Sequence, residues 1–412
     1  MGDHDPRSGI DTLRRRIRGE VDDPDAARDV TGADAEALIN FSDQLELLSS
    51  EYSDHRHLKL LRHCTRMAEH TGVLADVVDD RDAAEKVVRW INREYDNEET
   101  NRDYRSAIRV FAKRVAREST APDSVDWIPT GTSSSYDPTP SERDLLLFEQ
   151  DVKPMVDATR NPRDAAAIMI QFEAGLRGGE LQSLTVGDIV DGEHALAVHV
   201  DGKEGERVVH LVVAVPYLNQ WLQAHPAPGD PNAPLWTHLS KPDGLSYNAY
   251  LNMFKEPAKR LDMHKSVTPT NFRRSNTRWL VLQGMSQSRI EDRQGRKRGS
   301  EATQRYMARF GEESNERAYA SMHGLDVEED PDGNDHAPLA CPRCDRETPR
   351  DKDYCVWCHQ ALTPEAAESV EEVDDALFES GVEATDESTT EALREANHAI
   401  TPPVKHLMAD RD

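Results

Sequence analysis

Leu58, Leu61, Thr65 and Ala68 recur at the three- and four-residue spacing of one helix face, and Gly72 follows as a natural helix stop. Val87, Val88, Trp90 and Ile91 mark another helix, and Tyr104, Ile108, Phe111 and Val115 a third, so residues 34–118 read as an all-helical module. Residues 1–33 are charged with few large apolar side chains, which predicts a disordered or partly helical arm. Residues 119–138 are rich in Ser, Thr and Pro without periodicity, as a linker is. Thr139 with Glu142 then reads as a capping box with Pro140 at the first helical position, and Leu145, Leu146 and Phe148 open the next apolar face. A long helical stretch runs through Ala166-Ala167-Ile168-Met169 and breaks at Gly175. The pattern switches to alternation over residues 194–213, a β-hairpin with a turn at Asp201-Gly202. Helices resume at Pro216-Tyr217-Leu218, around Tyr247 to Leu261, and from Asn271 onward. The predicted fold class is mainly α with a small β-hairpin.

Charge changes the picture more than length does. The 412 residues suffice for two or three domains, but Asp and Glu number 77 against 50 Lys and Arg, a net charge of −27. Such a balance argues against nucleic acid as a partner unless the acidity serves another end. Asp and Glu are spread along the whole chain, which suits a surface adapted to molar salt, where the Debye length is about 3 Å and a local Arg cluster still binds phosphate. Local excesses of Arg therefore stand out. One is a helix face bearing Arg102, Arg105, Arg109 and Lys113; another is the run Arg14-Arg15-Arg16-Ile17-Arg18, which reads first as a solvated helix end. The most basic stretch holds Arg274, Arg278, Arg289, Arg293, Arg296, Lys297 and Arg298. No run of 18 apolar residues exists and the N-terminus lacks an apolar core, so neither a membrane span nor a signal peptide is expected and a cytoplasmic protein is.

Four of the five cysteines lie in one short segment. Cys341-x2-Cys344 and Cys355-x2-Cys358 make two knuckles, the pattern of a closed four-thiolate structural zinc site over residues 338–362. Residues 363–412 follow as an acidic tail, helical from Pro364 to Ser380. Cys64 reads as an ordinary helix cysteine.

Three short segments carry the remaining chemistry: AGLRGGEL (Ala174 to Leu181), TNFRRS (Thr270 to Ser275) and TQRYMARF (Thr303 to Phe310). Arg177 and Arg273 can grip the non-bridging oxygens of one phosphate through charge-assisted hydrogen bonds. Tyr306 offers a phenol whose attack on that phosphate would leave a phosphotyrosyl link and a free DNA hydroxyl. Tyr319 is the rival tyrosine, but its position before Met322 reads as core.

In these residues the chain resembles the tyrosine recombinases, the phage-integrase family, and in particular the branch found in halophilic archaea. The first family arginine, in a (T/A)GLR-x-x-EL motif, matches Arg177 before Glu180-Leu181; the second, closing an H-x-x-R motif after Thr-Pro, matches Arg273; the nucleophile matches Tyr306, six residues after Ser300. A lysine in the hairpin turn matches Lys203. The resemblance runs from roughly Leu45 to Leu362. It implies a helical core-binding domain over residues 34–118 that clamps duplex DNA and a catalytic domain over 139–325, with the zinc ribbon appended. It implies Lys203 as the proton donor to the leaving 5′ oxygen. Double-stranded DNA is the implied partner, with self-association on it as a dimer or tetramer. No nucleotide cofactor is expected, because the phosphotyrosyl link keeps the energy of the cleaved bond.

The chain departs from the family pattern at three positions. The first histidine is Thr270, the histidine after the second arginine is Arg274, and the histidine or tryptophan ten residues before the tyrosine is Arg296, a substitute third phosphate ligand. Thr270 cannot shuttle a proton as imidazole does. Two readings follow: a site-specific recombinase or integrase, with Arg177, Lys203, Arg273, Arg296 and Tyr306 catalytic; or a catalytically degenerate DNA-binding relative that serves a mobile element. A zinc-dependent adaptor leaves the ordered Arg, Arg and Tyr segments unexplained.

Overall fold

A computed structural model describes residues 5–192, 195–311, 315–316, 319–320, 322–323, 336–370 and 372–373. The chain divides into two compact units, residues 1–138 and 139–412.

The first unit is all helical: α1 (Pro6–Arg18), α2 (Gly32–Leu47), α3 (Asp54–Thr71), α4 (Arg81–Glu94), α5 (Glu98–Val115) and the single turn α6 (Asp123–Asp126). The helix starts are written in side chains. Thr31, Ser53 and Asn97 each accept a hydrogen bond from a backbone N–H in the first turn of α2, α3 and α5, and Gly72 ends α3 in the left-handed region. Leu38, Phe41, Leu45, Leu61, Met67, Ile91, Ile108 and Phe111 fill one core.

Two boundaries differ from expectation. The segment expected to be an arm forms α1, whose Ile10, Leu13 and Ile17 join that core. Its start is capped by the Asp5 carboxylate and its end by Gly19. Arg14, in the run read as a solvated end, turns inward to donate to Ser42 Oγ at 2.9 Å and to pair with Asp43. Three apolar residues at helical spacing suffice to anchor a helix whose other faces are charged. The first half of the expected linker also belongs here: Val125 and Ile128 are fully buried, and Ser124 Oγ donates to the carbonyls of Val77 and Val78.

The second unit is built around α8 (Pro162–Ala174), preceded by α7 (Lys153–Asp157) and followed by the short α9 (Gly178–Gln182). Every residue of α8 from Asp164 to Ala174 is buried. A three-stranded antiparallel sheet follows: β1 (Ile189–Asp191), β2 (Leu196–Gly202) and β3 (Gly205–Leu211). Gly202 pairs with Gly205, so the tight turn is Lys203-Glu204, two residues beyond the expected Asp201-Gly202. Then come α10 (Val215–Ala224), the ribbon of β4 (Thr237–His238) and β5 (Lys241–Gly244), α11 (Tyr247–Arg260), α12 (Pro269–Leu282), α13 (Gln287–Gln294) and α14 (Glu301–Phe310). Trp221, Trp236, Tyr250, Phe172, Phe254 and Phe272 are large, fully buried side chains of this core.

The expected capping box at Thr139 does not form. Ser141 precedes a 3₁₀ turn at Glu142–Asp144, and the chain enters α7 through a π-helical turn at Phe148–Val152. Burial of Leu145 and Leu146, with Leu146 N donating to Ser275 Oγ on α12, overrides the local helix signal. After α14, the two-residue strands β6 (Leu339–Ala340) and β7 (Glu347–Thr348) pair antiparallel and carry the cysteine knuckles. Lys352 of this ribbon pairs with Asp157 on α7 at 2.5 Å, and Gln220 on α10 donates to the Val356 carbonyl. Residues 364–370 are helical. The rest of the expected acidic tail, apart from residues 372–373, lies outside the described residues.

Candidate active site

Gly175 ends α8 with φ +60°, and a Cβ there would sit 2.3 Å from Asn276 Oδ1 and 2.7 Å from Gln294 Nε2. Only glycine permits this turn, and the turn delivers Arg177 to the N-cap of α9, one residue before its first turn. Arg177 donates from its backbone and from Nη1 to the Glu180 carboxylate at 2.9 and 2.7 Å, and from Nη2 to the Gly295 carbonyl at 2.8 Å. Its side chain remains about one-third exposed.

Arg273 lies in the first turns of α12, which Pro269 and the Thr268 hydroxyl start cleanly. It is buried and donates from Nη1 to the Gly175 carbonyl at 2.9 Å, so the two motif arginines are tied through one loop. Burial, with repulsion from Arg296 and Arg177, pushes the Arg273 guanidinium down to about 9. A site that disfavours its own positive charge in this way is preorganised for an anion.

Arg296 follows the left-handed Gly295 that ends α13. It donates to Gln294 Oε1 at 2.7 Å and to Thr277 Oγ1 at 3.2 Å. Burial lowers its pKa, while the Tyr306 phenol acts on it in the opposite sense. Electrostatic coupling thus links Arg296 to Tyr306 and to both motif arginines. Tyr306 itself is 4% exposed on α14 and packs with Leu145, Leu280, Val281 and Ile290. The turn into α14 is held by the buried Glu291 carboxylate, which accepts from the Gly299 and Ser300 backbone N–H groups. Tyr319, read as core in the sequence, is instead 66% exposed and edge-on to His323.

Three contributors were not singled out from the sequence. Glu180 is buried and accepts from Arg207 Nη2 at 2.7 Å as well as from Arg177. Burial would raise its pKa, but these bonds outweigh it and hold the carboxyl below its ordinary range. Gln294 is fully buried, donates to the Arg273 carbonyl and Asn276, and accepts from Arg296 and Thr277. Arg207 bridges β3 to Glu180 and to the Arg293 carbonyl. The only signal for them was adjacency: Glu180 inside the Arg177 motif, Arg207 four residues past Lys203, and Gln294 two before Arg296.

Other expected residues fall in varied settings. Lys203 is exposed at the hairpin tip and makes no hydrogen bond or ion pair among the described residues. The backbone beside it is close to the site, since a Cβ on Gly202 would lie 2.5 Å from Glu180 Oε1. Thr270 is exposed at the start of α12. Arg274 is half-buried and Lys297 exposed, each without an ion pair among the described residues. Arg293 points inward to the Glu173 carbonyl, and Arg298 pairs with Asp292. In the helical unit, Arg105 donates to the carbonyls of Pro129 and Gly131, and Arg109 to those of Asp126 and Ile128 and to the Asp126 carboxylate. Those two guanidiniums hold the 126–131 segment in place. Arg102 lies 3.6 Å from Asp103, and Lys113 is half-buried.

The sulfurs of Cys341, Cys344, Cys355 and Cys358 all lie within 4.8 Å of one another. The pairs Cys341–Cys358 and Cys344–Cys355 are each 3.7 Å apart, against an edge of about 3.8 Å for a tetrahedron with metal–sulfur bonds of about 2.3 Å. Backbone N–H groups of Arg343 and Trp357 point at the Cys341 and Cys355 sulfurs, which stabilises thiolates. The donor set fits a metal such as zinc.

Residues 146–313 match the model of the phage integrase family. A tyrosine recombinase of Synechocystis sp. is 31% identical over 123 residues, covering 29% of this chain and 39% of that protein, so the match spans well under half of the relative. Among solved structures, XerH site-specific recombinase bound to a palindromic difH substrate aligns with a TM-score of 0.51 and 14% identity, over 76% of this chain and 95% of that one. Lambda integrase (residues 75–356) bound to DNA aligns with a TM-score of 0.50 and 15% identity, over 67% and 97%. At such identities the likeness is one of fold. The family match and the Synechocystis relative support the phage integrase family, the tyrosine recombinases, for residues 146–313, which carry Arg177, Arg273 and Tyr306.

Proposed function

We propose that this protein is a site-specific DNA recombinase that cuts and rejoins duplex DNA through a phosphotyrosine link. The observation that carries the reading is the convergence of the Arg177, Arg273 and Arg296 guanidiniums with Tyr306 in a protein of net charge −27. The three cations bind the non-bridging oxygens of the scissile phosphate and stabilise the charge that grows there. Tyr306 Oη, ionised beside these cations with its proton passed on as the DNA docks, attacks phosphorus. The bond to the 5′ oxygen breaks, and that oxygen takes a proton from Lys203. Attack by a 5′ hydroxyl on the phosphotyrosyl bond reverses these events and rejoins a strand, so no nucleotide is consumed.

Duplex DNA is the partner, as it is in the DNA complex of lambda integrase, and Arg274 and Lys297 are cations placed to meet its backbone. Arg298 in the same unit and, in the helical unit, Arg102 and Lys113 supply further phosphate contacts. The protein acts as a dimer or tetramer on its site. Zinc closes the C-terminal ribbon as a structural ion. The dispersed acidity fits a halophilic archaeal setting and a mobile element.

One observation favours a second reading. Thr270 is exposed and carries no imidazole, and Arg296 has replaced another family side chain, as in a relative that keeps the phosphate grip but not turnover. Incubation of the full-length protein with a nicked duplex, selected by the protein from a random-sequence pool, separates the two. A DNA-linked protein band on a denaturing gel supports the recombinase; binding without any such band supports the degenerate relative.

A further inference from the structure

Arg207 has no role in the proposed chemistry, yet it joins the hairpin to the Arg177 segment and to the end of α13. From β3 its Nη2 donates to Glu180 Oε2 at 2.7 Å and its Nη1 reaches Glu180 Oε1 at 3.3 Å, a fork on the carboxylate that also holds Arg177. Its Nε donates to the Arg293 carbonyl at 3.1 Å, in the last turn of α13 before Gly295 and Arg296. The neighbouring backbone is shaped around it. A Cβ on Gly202 would sit 2.8 Å from Arg207 Nη1, and one on Gly295 would sit 2.6 Å from the same atom. The side chain is only 11% exposed and its carboxylate partner 6%.

The remaining hairpin contacts explain why this matters. Lys203 is exposed and makes no bond of its own, so its place depends on the backbone of the turn. Gly202 and Gly205 close that turn, and β3 reaches Arg207 two residues later. Without the Arg207 fork, the tip that carries Lys203 would have no charged tie to the Arg177 turn. A two-stranded tip with glycine at both corners is otherwise a soft element.

We propose that Arg207 is a positioning residue that fixes the Lys203 ammonium over the scissile phosphate, acting through Glu180 and the Gly202 turn. The inference rests on the recombinase reading. In the cleavage step the phosphorus–O5′ bond breaks, its electron pair goes to O5′, and O5′ takes a proton from Lys203 Nζ, leaving a neutral amine. A misplaced ammonium leaves a poor alkoxide leaving group unprotonated. Replacing the bridging 5′ oxygen by sulfur removes the need, because a thiolate leaves without a proton.

The test uses the full-length protein and the selected duplex in two forms, with bridging 5′ oxygen and with bridging 5′ sulfur. Arg207→Met keeps the stem and removes the fork; Arg207→Lys restores charge without it. On the oxygen duplex, covalent capture by Arg207→Met falls about 100-fold, the low end of what a positioned general acid contributes, and Arg207→Lys lies between it and the parent. On the sulfur duplex, Arg207→Met and Lys203→Ala both return to within about tenfold of the parent, while Arg273→Ala stays slow, as loss of an oxyanion ligand requires. An Arg207→Met defect of equal size on both duplexes overturns the inference and leaves the recombinase reading intact. If the parent forms no adduct on either duplex, the recombinase reading itself falls. Backbone amide exchange over residues 200–206 reads the positioning role without turnover: faster exchange in Arg207→Met than in the parent supports it, and unchanged exchange overturns it.

Discussion

In the proposed phosphate site Arg273 is the most buried of the three arginines, and its environment sets a pH dependence. Burial and the neighbouring guanidiniums push it down to about 9, below its ordinary value. Between these two values the unfolded chain binds the extra proton, so the free fold gains stability as pH rises through about 9. A bound phosphate favours the charged form and reverses the preference. DNA affinity should therefore be flat below about pH 9 and decline above it, with anisotropy titrations at fixed salt as the readout. Arg273→Met should weaken binding and remove that inflection; an affinity unchanged in Arg273→Met would mean Arg273 does not meet the phosphate. The motif arginines and Tyr306 were legible because they sit in short segments with recognisable neighbours. Gln294 and Arg207 were not, because a glutamine or arginine acquires its role only when the fold aims it at Glu180, Arg273 or Arg296.

At the scale of elements, the glycine that ends α8 is the sharpest constraint. Gly175→Ala would force a side chain into the left-handed region, costing about 1–2 kcal/mol, and would press on Asn276 and Gln294 as well. Thermal unfolding should fall by several degrees, and DNA affinity should fall with it because the same loop delivers Arg177. Unchanged unfolding and affinity would show that the turn is not held as described. Helices α3, α4 and α5 were readable from periodicity and caps, since their apolar spacing is unbroken. The Thr139 region was not, because the burial of Leu145 and Leu146 outweighed a local capping signal. The α1 arm misled for a related reason: its charge hides three well-spaced core residues.

For the whole molecule, the ribbon and the charge pattern make separate predictions. Four sulfurs at near-tetrahedral spacing should hold one zinc per chain, and Cys341→Ser or a strong chelator should remove it and loosen residues 338–362. Metal content near zero in unchelated protein, or unchanged in Cys341→Ser, would contradict this. Lys297→Ser should lower the slope of log affinity against log salt by about 0.9, one phosphate contact; an unchanged slope would place the DNA elsewhere. Both the ribbon and the Arg, Arg, Tyr order were visible in the sequence because they are patterns of spacing. The acidic composition pointed away from the proposed DNA partner because net charge averages over the whole chain and says nothing of a local group such as Arg177, Arg273 and Arg296.

The most direct test of the central claim is the chemical identity of the DNA–protein link. The full-length protein is trapped on its selected nicked duplex, digested with protease and nuclease, and the nucleotide-bearing peptide is sequenced by mass spectrometry. The account predicts a phosphodiester on Tyr306, present in the parent and absent from Tyr306→Phe, while both proteins bind the duplex equally. An adduct mapped to another residue, or one that persists in Tyr306→Phe, would contradict it.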